Sequence, residues 1–215
     1  MMYSVLFVSG LFILMIVSHL LIKWLTPRQD VNRSYPVICA GQNDGLLRPL
    51  RQITDISNLN LVSEGVKVRI SDYEPFVVEG ESMSTANIHT DDIVLVKVLT
   101  GEDRLHLSKD KLIAFTYNIE GDNTGSKGYK LRQFIDYIHN INSDIDIEGW
   151  CNEHNIVERA RFLEKYNKAR ERAQKDSEMY LCSKTWHDGR LDYSFHSIVN
   201  LLGRVDYCIP RDKLK

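Results

Sequence analysis

Two residues in the middle of the chain, Ser82 and Lys130, have the types and the setting needed for nucleophilic catalysis. Ser82 lies in VVEGESMSTANIHTDDIVLVKV (77–98), ahead of a valine-rich run, and Lys130 follows 48 residues later in GYKLRQFIDYI (128–138). A serine hydroxyl is a weak nucleophile until a base removes its proton. A lysine amine can be that base where burial beside apolar side chains disfavours its ammonium form. The pair could therefore supply a nucleophile and a general base.

The residues around Ser82 resemble the nucleophile region of the LexA and signal peptidase superfamily. Gly80, Ser82 and Met83 match a Gly-x-Ser-Met motif, and Asp92 leads into the valine-rich strand at the expected distance. Two positions depart from the pattern. Thr85 stands where proline is usual and Asp91 where glycine is usual, which bears on the turn after the serine more than on its chemistry.

The same superfamily places a lysine on a later strand and ends on a strand that the terminal part of this chain resembles. Tyr129–Arg132 (YKLR) and Gly203–Val205 (GRV) match those two segments. The resemblance implies a mainly β fold of coiled sheets and a serine endopeptidase that needs no cofactor or metal. It implies Ser82 as nucleophile and Lys130 as general base. Gly80 and Met83 would shape the turn and the oxyanion hole, where backbone amides would stabilise the developing charge.

The first segment of the chain is a predicted single-pass membrane anchor (1–26). Residues 3–22 contain no Asp, Glu, Lys or Arg, and twenty helical residues match a hydrocarbon core of about 30 Å. A cleaved signal peptide is the alternative, but no basic residue precedes the run and bulky residues close it. Lys23, Arg28 and Arg33 follow the run, which favours a cytoplasmic catalytic domain and leaves an extracytoplasmic one open.

Composition divides the remaining chain into a linker and a domain. Prolines and glycines among polar residues predict that 27–60 is a linker and entry segment. β-branched and aromatic runs predict strands of a Ser–Lys peptidase-like domain over 61–215. Within it, one amphipathic helix is predicted in an insert at about 150–180, with Asn155 and Glu158 resembling a cap pair at its start.

The dipeptide Ala40–Gly41, in PVICAGQ (36–42), is a candidate self-cleavage bond. It lies 42 residues before Ser82, and self-cleaving members of the superfamily cut Ala-Gly or Cys-Gly pairs ahead of the catalytic core. The hypothesis is that Ser82 cuts this bond and releases the domain from the membrane. A small-residue linker is the alternative interpretation, and a different membrane or secreted protein is the alternative substrate.

Other patterns exclude some functions and leave others open. A net charge of −2 argues against a nucleic-acid-binding domain. Four scattered cysteines predict free thiols, with two disulfides in an oxidising compartment left open. The pairs Cys151–His154 and Cys182–His187 could be zinc ligands, although buried cysteines and surface histidines are the favoured interpretation. A non-catalytic, membrane-anchored interaction module, with the helical insert as partner surface, is the alternative function.

Overall fold

A computed structural model describes most of the chain after the predicted anchor. The residues described are 32–40, 50–57, 59–63, 65–118, 127–138, 146–187 and 190–214. The predicted anchor (3–22) and Gly41 lie outside these ranges, as does the side chain of His187. In the part of the chain that is described, no helix has the length and apolar character needed to cross a membrane.

The described residues form a mainly β structure, which confirms the predicted fold class at that level. The strands are β1 Asn32–Cys39, β2 Leu50–Thr54, β3 Leu61–Ser63, β4 Val66–Val68, β5 Glu74–Glu79, β6 Ile93–Val98, β7 Leu112–Asn118, β8 Lys127–Ile138, β9 Tyr180–His187, β10 Arg190–Ser197 and β11 Leu201–Ile209. The helices are α1 Ile147–Glu153 and α2 Arg159–Asp176.

Six strands close into a barrel. Among the described residues, nine strands form one sheet in the order β10-β9-β8-β7-β11-β6-β5-β1-β2, and β3 pairs with β4 separately. An additional pairing of β8 with β1 joins two strands that are distant in this order. The ring β8-β7-β11-β6-β5-β1 is thereby closed, and β9 and β10 continue from β8 outside it.

The barrel interior is filled by apolar side chains from each strand of the ring. Its buried members are Ile38, Ala40, Phe76, Val78, Met83, Ile88, Val94, Val96, Ala114, Leu131 and Val205. Because neighbouring residues of a strand face opposite sides, Ile93 and Leu95 pack instead in a second cluster outside the barrel. Burial on both faces explains why β6 is an almost continuous apolar run in the sequence.

Gly203 is required where β11 passes between β6 and β7. It pairs with Val98 on one side and Ala114 on the other. A Cβ atom at this position would lie 2.2 Å from the carbonyl oxygen of Lys97, which is far inside van der Waals contact. The glycine of the Gly-Arg-Val segment therefore serves close backbone packing.

Part of the segment predicted as a linker is a strand of the barrel. Residues 32–39 form β1, whose second half runs parallel to β5 with Val37 opposite Val77. Pro36, one of the residues that suggested a linker, lies just before this paired stretch.

Two helices occupy the place of the one predicted helix. Asn155 has φ 53°, a left-handed conformation that stops a helix, so α1 ends at Glu153 and α2 starts at Arg159. The predicted cap pair is thus wrong: Asn155 lies in the break, and Glu158 precedes α2 without capping it through its side chain. The buried face of α2 is Phe162, Tyr166, Ala169 and Ala173.

Candidate active site

The strand β1 ends between the two segments that carry the candidate dyad. Cys39 lies opposite Glu79, near the end of β5, and also opposite Lys130 on β8. The next amide, that of Ala40, donates to the Glu79 carbonyl at 2.8 Å. Ser82 follows β5 by three residues, so the predicted nucleophile and the strand of the predicted base meet at the end of β1.

The turn that leads to Ser82 is held by hydrogen bonds within the Ser82 loop, residues 80–91. Gly80 has φ 97°, a conformation that favours glycine, and its N–H donates to the Thr90 hydroxyl at 3.1 Å. The Glu81 carboxylate accepts the Thr90 N–H at 3.0 Å and lies 3.1 Å from Nδ1 of His89. These contacts lower the pKa of Glu81, with the bond from the Thr90 N–H as the main cause. These hydrogen bonds therefore connect the beginning of the loop to its end.

Met83 fixes the other side of Ser82. Its side chain is 2 % exposed and belongs to the barrel interior, while Ser82 itself is half-buried. The Met83 carbonyl accepts the N–H groups of Ala86 and Ile88, which forms a short 3₁₀ turn over Ser84–Ala86. Thr85 lies inside this turn, so the turn forms without the proline that is usual there.

Asp91 occupies a position whose backbone would suit glycine. Its φ is 76°, a conformation that costs an L-residue energy but is more accessible to Asp and Asn than to most others. Its carboxylate contacts the guanidinium of Arg51 and, at 2.8 Å, that of Arg211. The departure from the superfamily pattern is therefore accommodated by two ion pairs.

Asp92 directly follows the Ser82 loop and has a structural role. It is 5 % exposed and accepts the His89 N–H at 2.9 Å and the Arg211 N–H at 3.0 Å. It also faces the Cys208 thiol, whose pKa is raised to about 12 by burial and by this carboxylate. Asp92 thereby joins the Ser82 loop to the end of β11.

One hydroxyl lies beside both Ala40 and Ser82. Thr185 Oγ1 is 3.4 Å from the Ala40 carbonyl oxygen and 3.5 Å from the Ser82 carbonyl oxygen. The two carbonyl oxygens are therefore within about 7 Å of each other, the sum of these distances. The Trp186 N–H also donates to the Ser82 carbonyl at 3.1 Å. The structure thus brings together Ser82 and the residue that precedes the candidate self-cleavage bond.

Lys130 is half-buried against aromatic rings. Its Nζ lies 4.5 Å from the centroid of the Tyr117 ring, and across the ladder it faces Phe115. Tyr117 packs directly on Gly128, where an added Cβ would meet the ring at 2.3 Å. A ring face attracts the ammonium form, so catalysis by the neutral amine must overcome this contact.

One histidine near Lys130 is not predicted from the sequence as part of the site. His196 of β10 stacks on Phe115 with ring centroids 4.2 Å apart, and its Nε2 is 2.9 Å from Ser194 Oγ. Burial, then the positive charges of Arg132 and Lys130, lower the pKa of His196 to about 3. Because β10 itself was not predicted, no local signal connected this histidine with the site.

The thiols and the zinc alternative concern the four cysteines and the histidines near two of them in the sequence. The four cysteines form no disulfide with one another, and burial raises the pKa of Cys182 well above its ordinary value. Such thiols are inert as nucleophiles at neutral pH. Within the ranges that the structure describes, no group of three or more His, Cys, Asp or Glu side chains is arranged to hold a metal ion.

Comparison with known proteins assigns no family. No protein-family model matches the chain, and no curated protein matches it. The case for the site therefore depends on its own geometry: the segments that carry Gly80, Ser82, Met83 and Lys130 meet near the end of β1 and Ala40, while Gly41 lies outside the described residues.

We expect Asp91→Ala to destabilise the protein by about 1–2 kcal/mol, because it loses two ion pairs and because alanine tolerates a left-handed backbone less well than aspartate. Asp91→Gly loses the same ion pairs but relieves the backbone, so its cost should be smaller. Urea unfolding of both variants measures the difference. Equal losses would show that the φ of 76° carries no cost.

We expect stability to fall as the pH drops from 6.5 towards 3 through His196. Its folded-state pKa is about 3 against an ordinary 6.5, so the unfolded chain takes up the proton first and is favoured at low pH. Unfolding free energies at pH 7.5 and pH 5 should differ less in His196→Phe than in the wild type. His106→Gln, at an exposed histidine, is the control and should behave as wild type. An unchanged difference in His196→Phe would contradict the assignment.

Proposed function

We propose that this chain is a membrane-tethered serine endopeptidase with a Ser82–Lys130 dyad. The observation that carries the proposal is the position of Ala40, whose carbonyl lies with that of Ser82 around one hydroxyl, at the strand junction formed by Cys39 and Lys130. Its bond to Gly41 is the first candidate substrate, and a membrane or secreted protein is the second.

The proposed reaction is acyl transfer to Ser82. The neutral amine of Lys130 takes the hydroxyl proton as Ser82 Oγ attacks the carbonyl carbon of Ala40. The tetrahedral intermediate collapses when Lys130 returns the proton to the nitrogen of Gly41, which leaves as an amine. Water then hydrolyses the ester and frees the Ala40 carboxylate and the Ser82 hydroxyl.

Tyr117 and Gly128 are proposed to position the base. The ring lies on Gly128 and keeps Nζ at one place, while Phe115 limits access of water from the neighbouring strand. An aromatic surrounding also lowers the polarity around the amine, which is what a neutral lysine requires.

The same contact is the specific observation in favour of the alternative function. If the ammonium of Lys130 stays on the Tyr117 ring, the site holds no base, and the domain acts as a membrane-anchored interaction module. The exposed, charged side of α2 is then the candidate partner surface. Pairs such as Glu164–Lys168, at 2.7 Å, equally suit a solvated face.

The proposed location follows from the sequence. Residues 3–22 would span the bilayer, and the basic residues after them favour a cytoplasmic domain. Free thiols agree with a reducing compartment.

We expect the full-length protein to produce a fragment that ends at Ala40, and Ser82→Ala and Lys130→Met to reduce its rate of formation by at least about a thousandfold. Intact mass after denaturation, with N-terminal sequencing of the second fragment, reads out the cut. Ser84→Ala and Lys127→Met are matched controls at exposed positions close by and should cut as wild type.

The outcomes separate the two functions. A fragment that persists in Ser82→Ala comes from another protease and rejects self-cleavage. An uncut wild type that also fails to react at Ser82 with a serine-directed acylating probe rejects the peptidase in favour of the interaction module. An uncut wild type that is labelled at Ser82, with Lys130→Met unlabelled, shifts the substrate to a different protein.

A further inference from the structure

The strand β1 is buried on both of its faces. Ile38 and Ala40 are 0 % exposed inside the barrel, and Tyr35 and Val37 are 3 % and 4 % exposed on the outer side. A tether that only links an anchor to a domain would not bury four side chains in two separate hydrophobic clusters. The domain's packing therefore depends on β1 as much as on its other strands.

Polar contacts hold both ends of the strand. The Tyr35 hydroxyl donates to Asp55 at 2.9 Å and accepts the Ile56 N–H at 3.1 Å. At the other end the Ala40 N–H is bonded to Glu79, and Cys39 is paired with β5 and β8 together. The residues of segment 32–40 that make these contacts all precede the Ala40–Gly41 bond, whereas their partners follow it.

We propose that the groove between β5 and β8 is a strand-binding site, and that it keeps β1 bound without a covalent link after the chain is cut between residues 41 and 49. The occupant is this chain's own segment 32–40. The retention arises from burial and main-chain pairing, so it does not require catalysis by Ser82. It changes the consequence of self-cleavage that the sequence suggested, because a cut after Ala40 leaves the domain on its anchor.

Retention also has a consequence for the proposed peptidase. A cut at Ala40–Gly41 adds water and leaves a carboxylate on Ala40, which remains beside the Ser82 carbonyl. A second peptide could enter only where β1 has left, so the bound strand would inhibit cleavage of other proteins. This inhibition depends on the proposed peptidase function, whereas the retention of β1 does not.

The test uses the full chain with Ser82→Ala, an N-terminal affinity tag and an inserted site for a sequence-specific protease. In one version the site lies between Gly45 and Leu46, after β1, and in the matched control it lies between Gln29 and Asp30, before β1. Both proteins are cut in detergent and captured by the tag. The readout is the amount of the C-terminal fragment that stays with the tagged one, first in buffer and then in denaturant.

We expect at least about tenfold more C-terminal fragment to stay captured after the cut at 45/46 than after the cut at 29/30. A tenfold change in the binding constant requires only a small part of the free energy gained by burying the strand. Denaturant should release it. Equal release after the two cuts, or aggregation of the domain after the cut at 45/46, would overturn the proposal.

A second variant separates strand binding from nonspecific adhesion. Tyr35→Phe keeps the buried ring but removes the hydroxyl contacts with Asp55 and Ile56, so the cut protein should release its C-terminal fragment faster. Ser34→Ala, at the exposed neighbouring position, should release it at the original rate. A rate unchanged by Tyr35→Phe and by denaturant would indicate adhesion and reject the groove.

Discussion

Cys39 is paired with Glu79 and Lys130 at the same time, and this double pairing closes the barrel. Without the pairing of β1 with β8, the sheet would stay open between these two strands, and the strand of the lysine would lie far from the loop of the serine. A closed barrel has no such opening and fills its interior with alternate side chains, here with Ile38 of β1 and the following Ala40 among them. The strand that links the domain to the N-terminal segment is thus also the element that assembles the candidate site.

The Ser82 loop has a complementary arrangement of strain and support. Gly80 and Asp91 both have positive φ, and they stand at the two ends of the loop. The Thr90 hydroxyl accepts the Gly80 N–H, and the carboxylates of Glu81 and Asp92 accept backbone N–H groups of the loop. Met83 anchors the loop in the barrel. A nucleophile held in this way would lose little entropy on reaction, which is what the proposed acyl transfer to Ser82 requires.

Sequence patterns predicted the elements whose signal is local. The strands β5 to β8 were recognisable from their apolar and β-branched runs, and the glycine and methionine around Ser82 from spacing. The composition of β1 predicts a linker, because its first five residues, Asn-Arg-Ser-Tyr-Pro, are mostly polar and include a proline. Its burial arises from pairing with strands that are far away in the chain, which local composition does not show. The contact of Tyr117 with Lys130 depends on the β7–β8 register and on Gly128, so neighbouring residues in the sequence do not predict it. The position of His196 near the site depends in the same way on β10, which the sequence patterns do not predict. At Asn155 the local signal was present but was assigned to the start of a helix rather than to a break.

The role of β1 as a closing strand can be measured through amide hydrogen exchange of Ala40 in the full-length Ser82→Ala protein. This N–H donates to the Glu79 carbonyl at 2.8 Å, just as the Val78 N–H of β5 donates to the Asp92 carbonyl at 2.9 Å. If β1 opens only when the barrel opens, the two amides exchange with similar protection. Fast exchange at Ala40 beside a protected Val78 would mean that β1 leaves the barrel on its own, and the account of the site would be wrong.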